Sequence, residues 1–389
     1  MMSQVQVLIP KVLIVSPVAL DAQGSDIATF MLSLVGELEH RGYPFKLCVL
    51  ASNADGSITF SHSDTVETVS IQPALPFTDS FESRAINVAW SMQHALRSLL
   101  AAFQPDVISV HDSRLYLPFH FIAQKVQVTL HNRSLGMAHP FDRTHAGLQH
   151  YWEQKLAATR AQAVVLHSQA SLHMLQRDVL SQFDAVSSQP TVFPIGLNAA
   201  DYPARKKRLL NGKIVLSYIG GLNDPLHQFK RFVDIISALP ELYRKYIIEA
   251  RVYSFDTMPE DIRQKQFSDI IFYNLNNEVD VISALQQTDI LLLPRNHDGT
   301  GILALQAMLS NCKVIAVAGT AMDEYLEPDS YCAADVQSMA DKLQYELDHI
   351  ADIRALQDSN YFRALVDVPL HDVRTMADSY ISVWQSMAH

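Results

Sequence analysis

Apolar residues follow two alternating spacings along this chain, one typical of buried strands and one typical of amphipathic helices. Short, continuously apolar runs predict strands that are covered on both faces of a parallel sheet. In the first half of the chain the segments predicted as strands are residues 12–15, 45–50, 106–111, 126–130 and 163–166, and helical spacing is found at residues 27–40, 83–103 and 148–161. Because strands alternate with helices, the pattern predicts right-handed βαβ units and a parallel sheet with helices on both faces.

The same alternation starts afresh near residue 212, which predicts a second domain. Its strands are expected at residues 214–219, 247–253, 270–273, 290–293 and 314–317, with a helix at residues 229–239. A basic, irregular stretch that contains Arg205 to Arg208 separates the two halves. We therefore predict two doubly wound domains, at residues 1–197 and 198–368, followed by a terminal helix at residues 369–389 with one apolar side.

Composition and charge restrict the class of protein. The chain has 389 residues, enough for two domains that each bury a core, and its 48% hydrophobic and 18% charged residues argue against long disordered segments. A net charge of −11 gives no general attraction to nucleic acid, so no nucleic-acid partner is expected. Three cysteines, two of them in or beside apolar strand patterns, predict reduced thiols in a cytosol.

Targeting signals are not evident in the sequence. The stretch MMSQVQVLIPKVLIV predicts a first strand rather than a signal peptide, because it lacks a basic region and a cleavage site. No apolar run approaches the ~20 residues that span a membrane, so we expect a cytoplasmic protein without a transmembrane segment. The basic residues from Arg205 to Arg208 are interpreted as a solvated face beside the domain linker, which leaves peripheral membrane association open.

One loop combines glycines with polar residues at the point where a buried strand ends. Ile290 to Leu293 are apolar, Pro294 ends the strand, and Asp298-Gly299-Thr300-Gly301 open a helix. Two glycines at a helix N-terminus let backbone N–H groups approach an anion, whose negative charge the helix dipole favours. The sequence therefore predicts a cradle for a phosphate or sugar phosphate at the carboxyl end of a sheet.

Residues 289–325 resemble the signature of the retaining glycosyltransferases of the GT-B fold, family 4 in particular. That signature has a strand ending in Pro-Ser, then Glu-Gly-Phe-Gly, a second Glu eight positions after the first, and a Gly-x-Pro-Val-Ile strand. Here Asp298 and Gln306 stand at the two acid positions, and Lys313-Val314-Ile315 replaces Pro-Val-Ile. The resemblance covers nearly the whole chain and implies two Rossmann-like domains that face a central cleft, with the terminal helix crossing back to the first.

The resemblance also implies roles for individual side chains. His131, which ends the segment VTLH, stands where the family has a histidine that reaches the donor sugar, and His111 is similarly placed with less support. Asp298 would contact the hydroxyls of the donor sugar, and Gln306 would take the ribose-binding position. Each has a purely structural alternative: a buried histidine, a helix cap at Asp298, and an ordinary polar helix position at Gln306.

The diphosphate of a donor needs cationic partners. Gly221 stands where the family has the arginine of Gly-Arg-Leu, and Lys230 is the best candidate for a phosphate ligand, with His227 and Arg231 near enough to compete. Arg295, where the family usually has Ser, is hypothesised to supply the charge lost at Gly221. The predicted catalytic residues are His131, Asp298 and Lys230, and the predicted donor-binding residues are Gly24, Ser25, Gly221, Arg295, Gly299, Thr300, Gly301 and Gln306.

Other cofactor classes lack their motifs. The full Gly-x-Gly-x-x-Gly dinucleotide fingerprint is absent, and Gly24-Ser25 in the first strand-to-helix loop is weak evidence by itself. No two aspartates stand at i and i+2, and no His/Cys/Glu cluster has zinc-like spacing, so no catalytic metal is expected. We expect no cofactor beyond the co-substrate, a nucleotide-diphosphate sugar with UDP or GDP.

The sequence thus predicts a retaining, metal-independent glycosyltransferase. It would move a sugar from a nucleotide-diphosphate sugar to a glycan, glycolipid or related acceptor, in the synthesis of a bacterial surface polysaccharide or glycoconjugate. Two alternatives stay open: a catalytically impaired partner or binding subunit, favoured by Gly221, Asp298 and Gln306, and a nucleotide-sugar epimerase on the same fold. The sugar, the acceptor, and a homo- or hetero-oligomeric state are left undetermined.

Overall fold

The computed structural model describes most of the chain. The described residues are 9–22, 25–52, 58–62, 65–71, 96–120, 125–131, 145–182, 187–203, 212–223, 227–256, 270–275, 278–296 and 298–389. Gly24 and the basic stretch from Arg205 to Arg208 lie outside them. The chain forms two compact units, the first of Met1–Leu20, Phe30–Pro194 and Val373–His389, and the second of Asp21–Thr29 and Ile195–Asp372.

The first unit contains an eight-stranded sheet in the order β4-β3-β2-β1-β5-β6-β7-β8. The strands are β1 Val12–Ser16, β2 Phe45–Ser52, β3 Ile58–His62, β4 Thr65–Ile71, β5 Val107–Val110, β6 Val126–Thr129, β7 Ala163–Leu166 and β8 Thr191–Val192. The helices that begin in or belong to this part of the chain are α1 Asp26–His40, α2 over residues 96–103, α3 Tyr116–His120, α4 His145–Arg160, α5 Gln169–Asp178 and the terminal helix, α12 Val373–Ala388.

In the part of the sheet ordered β2-β1-β5-β6-β7-β8, neighbouring strands are parallel, as the alternation of strands and helices predicts. The pairs β2–β3 and β3–β4 are antiparallel and extend the sheet by a hairpin that the apolar pattern did not indicate. The sequences of this hairpin, ITFSH and TVETVSI, mix polar and apolar residues and contain no continuous apolar run. By contrast, every residue of β1, β5 and β6 is buried, because these strands lie in the middle of the sheet.

The second unit contains a six-stranded parallel sheet in the order β11-β10-β9-β12-β13-β14. Its strands are β9 Ile214–Ile219, β10 Ile248–Ser254, β11 Ile270–Asn274, β12 Ile290–Leu293, β13 Lys313–Val317 and β14 Tyr331–Cys332. Its helices are α6 Phe229–Ala238, α7 Glu278–Gln286, α8 Ile302–Leu309, α9 Val336–Asp348, α10 Ile350–Asp358 and α11 Tyr361–Val366. An apolar core of its own surrounds this sheet, with Leu216, Phe232 and Leu292 fully buried.

The terminal helix α12 belongs to the first unit, as the resemblance implied. The hydroxyls of Tyr380 and Thr129 lie 3.0 Å apart, and the indole N–H of Trp384 donates to Gln127 Oε1 at 3.3 Å. Tyr380 and Trp384 are both completely buried. The prediction that the last helix packs on the first domain is therefore confirmed. In the described part of the chain, none of the helices is both long enough and apolar enough to cross a membrane.

Each sheet has a point at which the strand order reverses. In the second unit this point lies between β9 and β12, because β10 and β11 are added on one side of β9 and β12 to β14 on the other. Loops that leave neighbouring strands in opposite directions open a crevice at the carboxyl end of a sheet, where α/β proteins bind ligands. The described residues of the loops that follow β9 and β12 (220–223, 227–228, 294–296 and 298–301) therefore mark the candidate site of this unit.

Candidate functional site

A buried arginine joins the two loops at the reversal point. Arg295 follows β12, and its Nη2 donates to the carbonyl oxygen of Ile219, at the end of β9, at 2.9 Å. The guanidinium also lies against the backbone of Gly220, since a Cβ on this glycine would come within 3.3 Å of Nη2. Within the described part of the chain, Nε of Arg295 has no hydrogen-bond partner although it is buried. Arg295 thus places a positive charge beside Gly221, where the family that the chain resembles has the arginine of Gly-Arg-Leu.

Asp298 neutralises part of this charge and holds the start of the following helix. Its Oδ2 lies 3.4 Å from Nη1 of Arg295, and both side chains are buried. Its Oδ1 accepts hydrogen bonds from the backbone N–H groups of Thr300, at 3.2 Å, and of Gly301, at 2.6 Å. The structural alternative for Asp298, a helix cap, is therefore present in the structure. The role of Asp298 at a donor sugar stays a prediction.

Gly301 is required at its position for two independent reasons. Its φ is +62°, in the left-handed region that favours glycine. A Cβ at this residue would lie 2.3 Å from Cε2 of Tyr325, well inside van der Waals contact. The hydroxyl of Tyr325 donates to the carbonyl oxygen of Thr300 at 2.9 Å. Gly301 thus lets the backbone of the loop pack directly against the ring of Tyr325.

The turn after β9 is held by side chains around it. The N–H of Gly221 donates to Nδ1 of His227 at 2.7 Å, and the hydroxyl of Tyr218 donates to the carbonyl oxygen of Gly221 at 2.8 Å. Because Nδ1 of His227 accepts, its neutral ring carries the proton on Nε2. His227 therefore lies at the reversal point, with its imidazole against the glycine turn.

The structure separates the two basic neighbours on α6. Lys230 is 86% exposed and pairs with Asp234 at 2.6 Å. Arg231 instead reaches the loop after β12, where its Nη1 donates to the carbonyl oxygen of Pro294 at 2.8 Å and to Oδ1 of Asn296 at 2.5 Å. Of the basic side chains proposed from the sequence, Arg295, Arg231 and the neutral His227 are thus brought to the two loops, and Lys230 faces solvent.

The remaining predicted donor-binding residues of this unit have partners of their own. Gln306 lies in α8, where every side chain is buried, and its Nε2 donates to the hydroxyl of Tyr202 at 3.1 Å. Ser25, which groups with the second unit, accepts from the N–H of Ala28 at 3.3 Å and so caps α1. The hydroxyl of Thr300 lies 3.3 Å from Oδ2 of Asp26 in the same group. The ribose contact of Gln306 stays a prediction.

Three histidines end three neighbouring strands of the first unit and form a chain of hydrogen bonds. His111 follows β5, His131 follows β6 and His167 follows β7. Nδ1 of His111 lies 3.1 Å from Nε2 of His131, and Nδ1 of His131 lies 3.1 Å from Nε2 of His167. The last ring nitrogen, Nδ1 of His167, lies 3.2 Å from the carbonyl oxygen of Phe193. All three imidazoles are buried.

That carbonyl determines the tautomer of every ring in the chain. The oxygen of Phe193 can only accept, so the proton of neutral His167 is on Nδ1. Nε2 of His167 then accepts from Nδ1 of His131, whose Nε2 in turn accepts from Nδ1 of His111. At the other end the hydroxyl of Ser109 lies 3.2 Å from Nε2 of His111 and 2.5 Å from Oε1 of Gln127, so two acceptors compete for one proton.

Burial keeps these rings neutral. Loss of water around the imidazolium lowers the pKa of His111 to about 3, with a smaller contribution from His167. Burial likewise lowers the pKa of His167 to about 4, against the opposing hydrogen bond to Phe193. The pKa of His131 lies well below its usual value because of burial and the two neighbouring rings. Since both nitrogens of His131 are taken up by other imidazoles, a polar contact with a ligand requires one of these bonds to open.

The sequence did not single out His167 or Tyr325, and it did not determine the contact of Arg231. His167 ends a strand in the same way as His131, so its position offered a usable signal. The contact of Arg231 depends on the rotation of α6 about its axis, which a count of positions does not determine. Tyr325 is the last residue of the stretch 289–325 that resembles the family signature, but nothing in its spacing indicates that it folds back onto Gly301.

The fold and the position of these loops define a class of protein. Two Rossmann-like units with parallel sheets, a glycine loop at the reversal point of the second, and a terminal helix that returns to the first are features of the GT-B fold. Residues 27–186 match the family Glycosyltransferase Family 4, and residues 213–349 match Glycosyl transferases group 1. The chain belongs to the family 4-like glycosyltransferases of the GT-B fold, a class of enzymes that depend on nucleotide sugars.

Individual proteins similar to this chain can be named. The MMP alpha-(1->4)-mannosyltransferase of Mycolicibacterium hassiacum is 24% identical over 196 residues, which cover 48% of this chain and 47% of that protein, so the match spans about half the relative's length. The solved structure of sucrose-phosphate synthase from Thermosynechococcus elongatus is similar with a TM-score of 0.75 and 14% identity, over 97% of this chain and 99% of that one. Anabaena HepE, solved with UDP and glucose, gives a TM-score of 0.67 and 13% identity, over 97% and 100%. At these identities the similarity to the solved structures shows the fold.

Proposed function

We propose that the protein is a retaining, metal-independent glycosyltransferase that moves a sugar from a nucleotide-diphosphate sugar to a glycan or lipid-linked acceptor. The observation that carries this proposal is the buried guanidinium of Arg295 on the backbone of Gly220, beside the glycine loop that opens α8. The cation and the helix N-terminus lie together at the point where the strand order reverses, and both can stabilise the negative charge of a diphosphate. The family to which the chain belongs supports the reaction type.

The chemistry requires charge stabilisation more than a nucleophile from the protein. As the bond between the anomeric carbon and the diphosphate breaks, negative charge develops on the leaving phosphate. Fixed donors in a site that excludes water stabilise this charge without reorganising during the reaction. Arg295 and Arg231 are the candidates for the cationic part, and N–H groups in the first turn of α8 have no partner within the helix. The roles of His131, Lys230 and Gln306 are proposals that rest on the family resemblance.

The substrate class follows from the relatives. HepE was solved with UDP and glucose, and the curated relative is a mannosyltransferase, so we propose UDP or GDP as the nucleotide and a hexose as the sugar. The acceptor is proposed to be part of a bacterial surface polysaccharide or glycoconjugate, with the reaction on the cytoplasmic side. An epimerase on the same fold would release a free sugar product without an acceptor, and product analysis separates the two activities.

Binding of UDP and GDP to the wild-type protein and to Arg295→Gln tests the proposal. A charge-assisted hydrogen bond contributes about 1.5–3 kcal/mol, so the substitution should weaken the nucleotide diphosphate roughly 10- to 100-fold in calorimetric titrations. Lys245→Gln is the matched control, because it removes an exposed cation of the same unit that pairs with Glu241 outside the two loops, and it should change affinity by less than about threefold.

A second variant separates charge loss from damage to the fold. Arg295→Gln alone leaves the carboxylate of Asp298 buried without its counter-ion, whereas Arg295→Gln together with Asp298→Asn removes both charges of the pair. Weak binding in both, with unfolding curves close to wild type for the double variant, supports the cationic role. Undiminished binding in the double variant, or no response of the wild type to any nucleotide, contradicts the proposal and favours the partner-subunit alternative.

A further inference from the structure

The peptide unit between Thr300 and Gly301 is held from both sides. Its carbonyl oxygen accepts a hydrogen bond from the hydroxyl of Tyr325 at 2.9 Å. Its N–H, which points the opposite way in the same plane, donates to Oδ1 of Asp298 at 2.6 Å. This peptide directly precedes α8, so its orientation sets where the first turn of the helix presents its N–H groups.

This peptide is also one that can rotate at low steric cost. Gly301 has a φ of +62°, and glycine adopts positive and negative φ with similar ease. Rotation of the peptide would turn the carbonyl of Thr300 away from Tyr325. The side that now faces the N–H of Gly301, with its partial positive charge, would then face the carbonyl oxygen, with its partial negative charge. That side is occupied by the carboxylate of Asp298, so the rotated peptide would lose this helix cap and would no longer fix the N–H groups of the first turn of α8 for an anion. Two hydrogen bonds oppose this rotation, and only one of them comes from the loop itself.

Tyr325 is well placed to act as the second restraint. Its ring packs against Gly301 and lies edge-on to the ring of His371, with centroids 5.0 Å apart at an interplanar angle of 75°. Nδ1 of His371 lies 3.4 Å from the carbonyl oxygen of Ile195, which ties the imidazole to the backbone. Burial, together with the nearby carboxylates of Glu324 and Asp298, raises the pKa of Tyr325, so its hydroxyl keeps the proton that it donates.

We propose that Tyr325 is a positioning residue for the diphosphate: its hydroxyl locks the Thr300–Gly301 peptide in the orientation that leaves the start of α8 able to accept an anion. The inference rests on the proposed function, because it assumes that a nucleotide diphosphate binds at this loop. It adds a residue that the glycine signature does not contain. Tyr325 acts through the backbone and does not itself touch the ligand.

Tyr325→Phe tests the proposal, because it removes the hydroxyl and keeps the ring against Gly301. Calorimetric titrations with UDP and uridine, or with GDP and guanosine if the wild type prefers guanine, separate the phosphates from the nucleoside. The diphosphate should bind about tenfold more weakly to Tyr325→Phe, and the nucleoside should bind as it does to the wild type. Tyr243→Phe is the matched control, since it removes a hydroxyl that donates to Asp348 elsewhere in the same unit.

The outcomes separate this inference from the function on which it rests. A wild-type protein that binds neither UDP nor GDP removes the proposed function itself. A wild type that binds, together with a Tyr325→Phe variant of equal affinity, overturns the positioning role alone. Equal weakening of the diphosphate and the nucleoside also overturns it, because a loss of general stability would act on both. Faster hydrogen exchange at residues 298–305 in Tyr325→Phe, with other segments unchanged, is the expected structural signature.

Discussion

At the scale of single residues, the positive charge at the site comes from the loop after β12 and not from the loop after β9. Gly221 has no side chain at the end of the β9 turn, and Arg295 reaches the same backbone from the end of β12. The two positions lie far apart in the chain but follow neighbouring strands, since β9 pairs with β12. The sequence-based hypothesis that Arg295 compensates for Gly221 is geometrically reasonable, and its role in binding stays a prediction.

Gly301→Ala should destabilise the protein. The substitution forces a side chain into a left-handed conformation and into the ring of Tyr325, and each effect costs on the order of 1–3 kcal/mol. Urea denaturation should show a lower free energy of unfolding. Gly36→Ala is the matched control: this glycine lies inside α1 with open space around its Cα, so the alanine should stabilise by about 0.5–1 kcal/mol. Equal effects of the two alanines would contradict the explanation.

At the scale of elements, the sequence predicted best those strands that are buried on both faces. Strands β1, β5, β9 and β12 consist of apolar runs because neighbours cover them on every side. The hairpin β3–β4 extends the edge of its sheet and mixes polar with apolar residues, so its sequence carries little signal. The same limit applies to the site, because the glycine loop is a local pattern whereas the partners of that loop come from distant parts of the chain.

The attachment of α12 to its sheet can be tested one hydroxyl at a time. Tyr380→Phe removes the 3.0 Å contact with the hydroxyl of Thr129 and leaves that group buried, which should lower the free energy of unfolding by about 1–2 kcal/mol. Ser379→Ala, on the exposed face of the same helix, should change it by less than about 0.5 kcal/mol. A Tyr380→Phe protein as stable as Ser379→Ala would show that apolar packing alone holds α12.

At the scale of the whole molecule, acid should act on the unit that contains the histidine chain. The pKa values of His111 and His167 are about 3 and about 4 in the folded state, and an unfolded histidine titrates near about 6.5. The unfolded chain therefore takes up protons below pH 6.5 while the folded unit does not. The stabilisation is complete above about pH 6.5 and is lost progressively as the pH falls toward the folded values.

Denaturation between pH 7 and pH 5 measures this effect. Each neutral buried histidine should contribute up to about 1.4 kcal/mol per pH unit to the slope of the unfolding free energy. His167→Gln removes one titrating group and should reduce the slope, whereas Ser379→Ala, which removes no titrating group from the same unit, should leave it unchanged. A slope that is identical in all three proteins would contradict the assignment to the chain of rings.

The return of α12 to the first unit also orders events during synthesis of the chain. The segment from Ile195 to Asp372, which makes up nearly all of the second unit, is synthesised between the main part of the first unit and α12. These two aromatic residues are among the largest fully buried side chains of the molecule, and they complete the core of the first unit. The first unit, although most of it is translated earlier, therefore cannot complete its core until α12 has been made. A released chain that ends at Asp372 would contain every segment of the second unit but lack α12, and the apolar surface that Tyr380 and Trp384 cover would be open to chaperones.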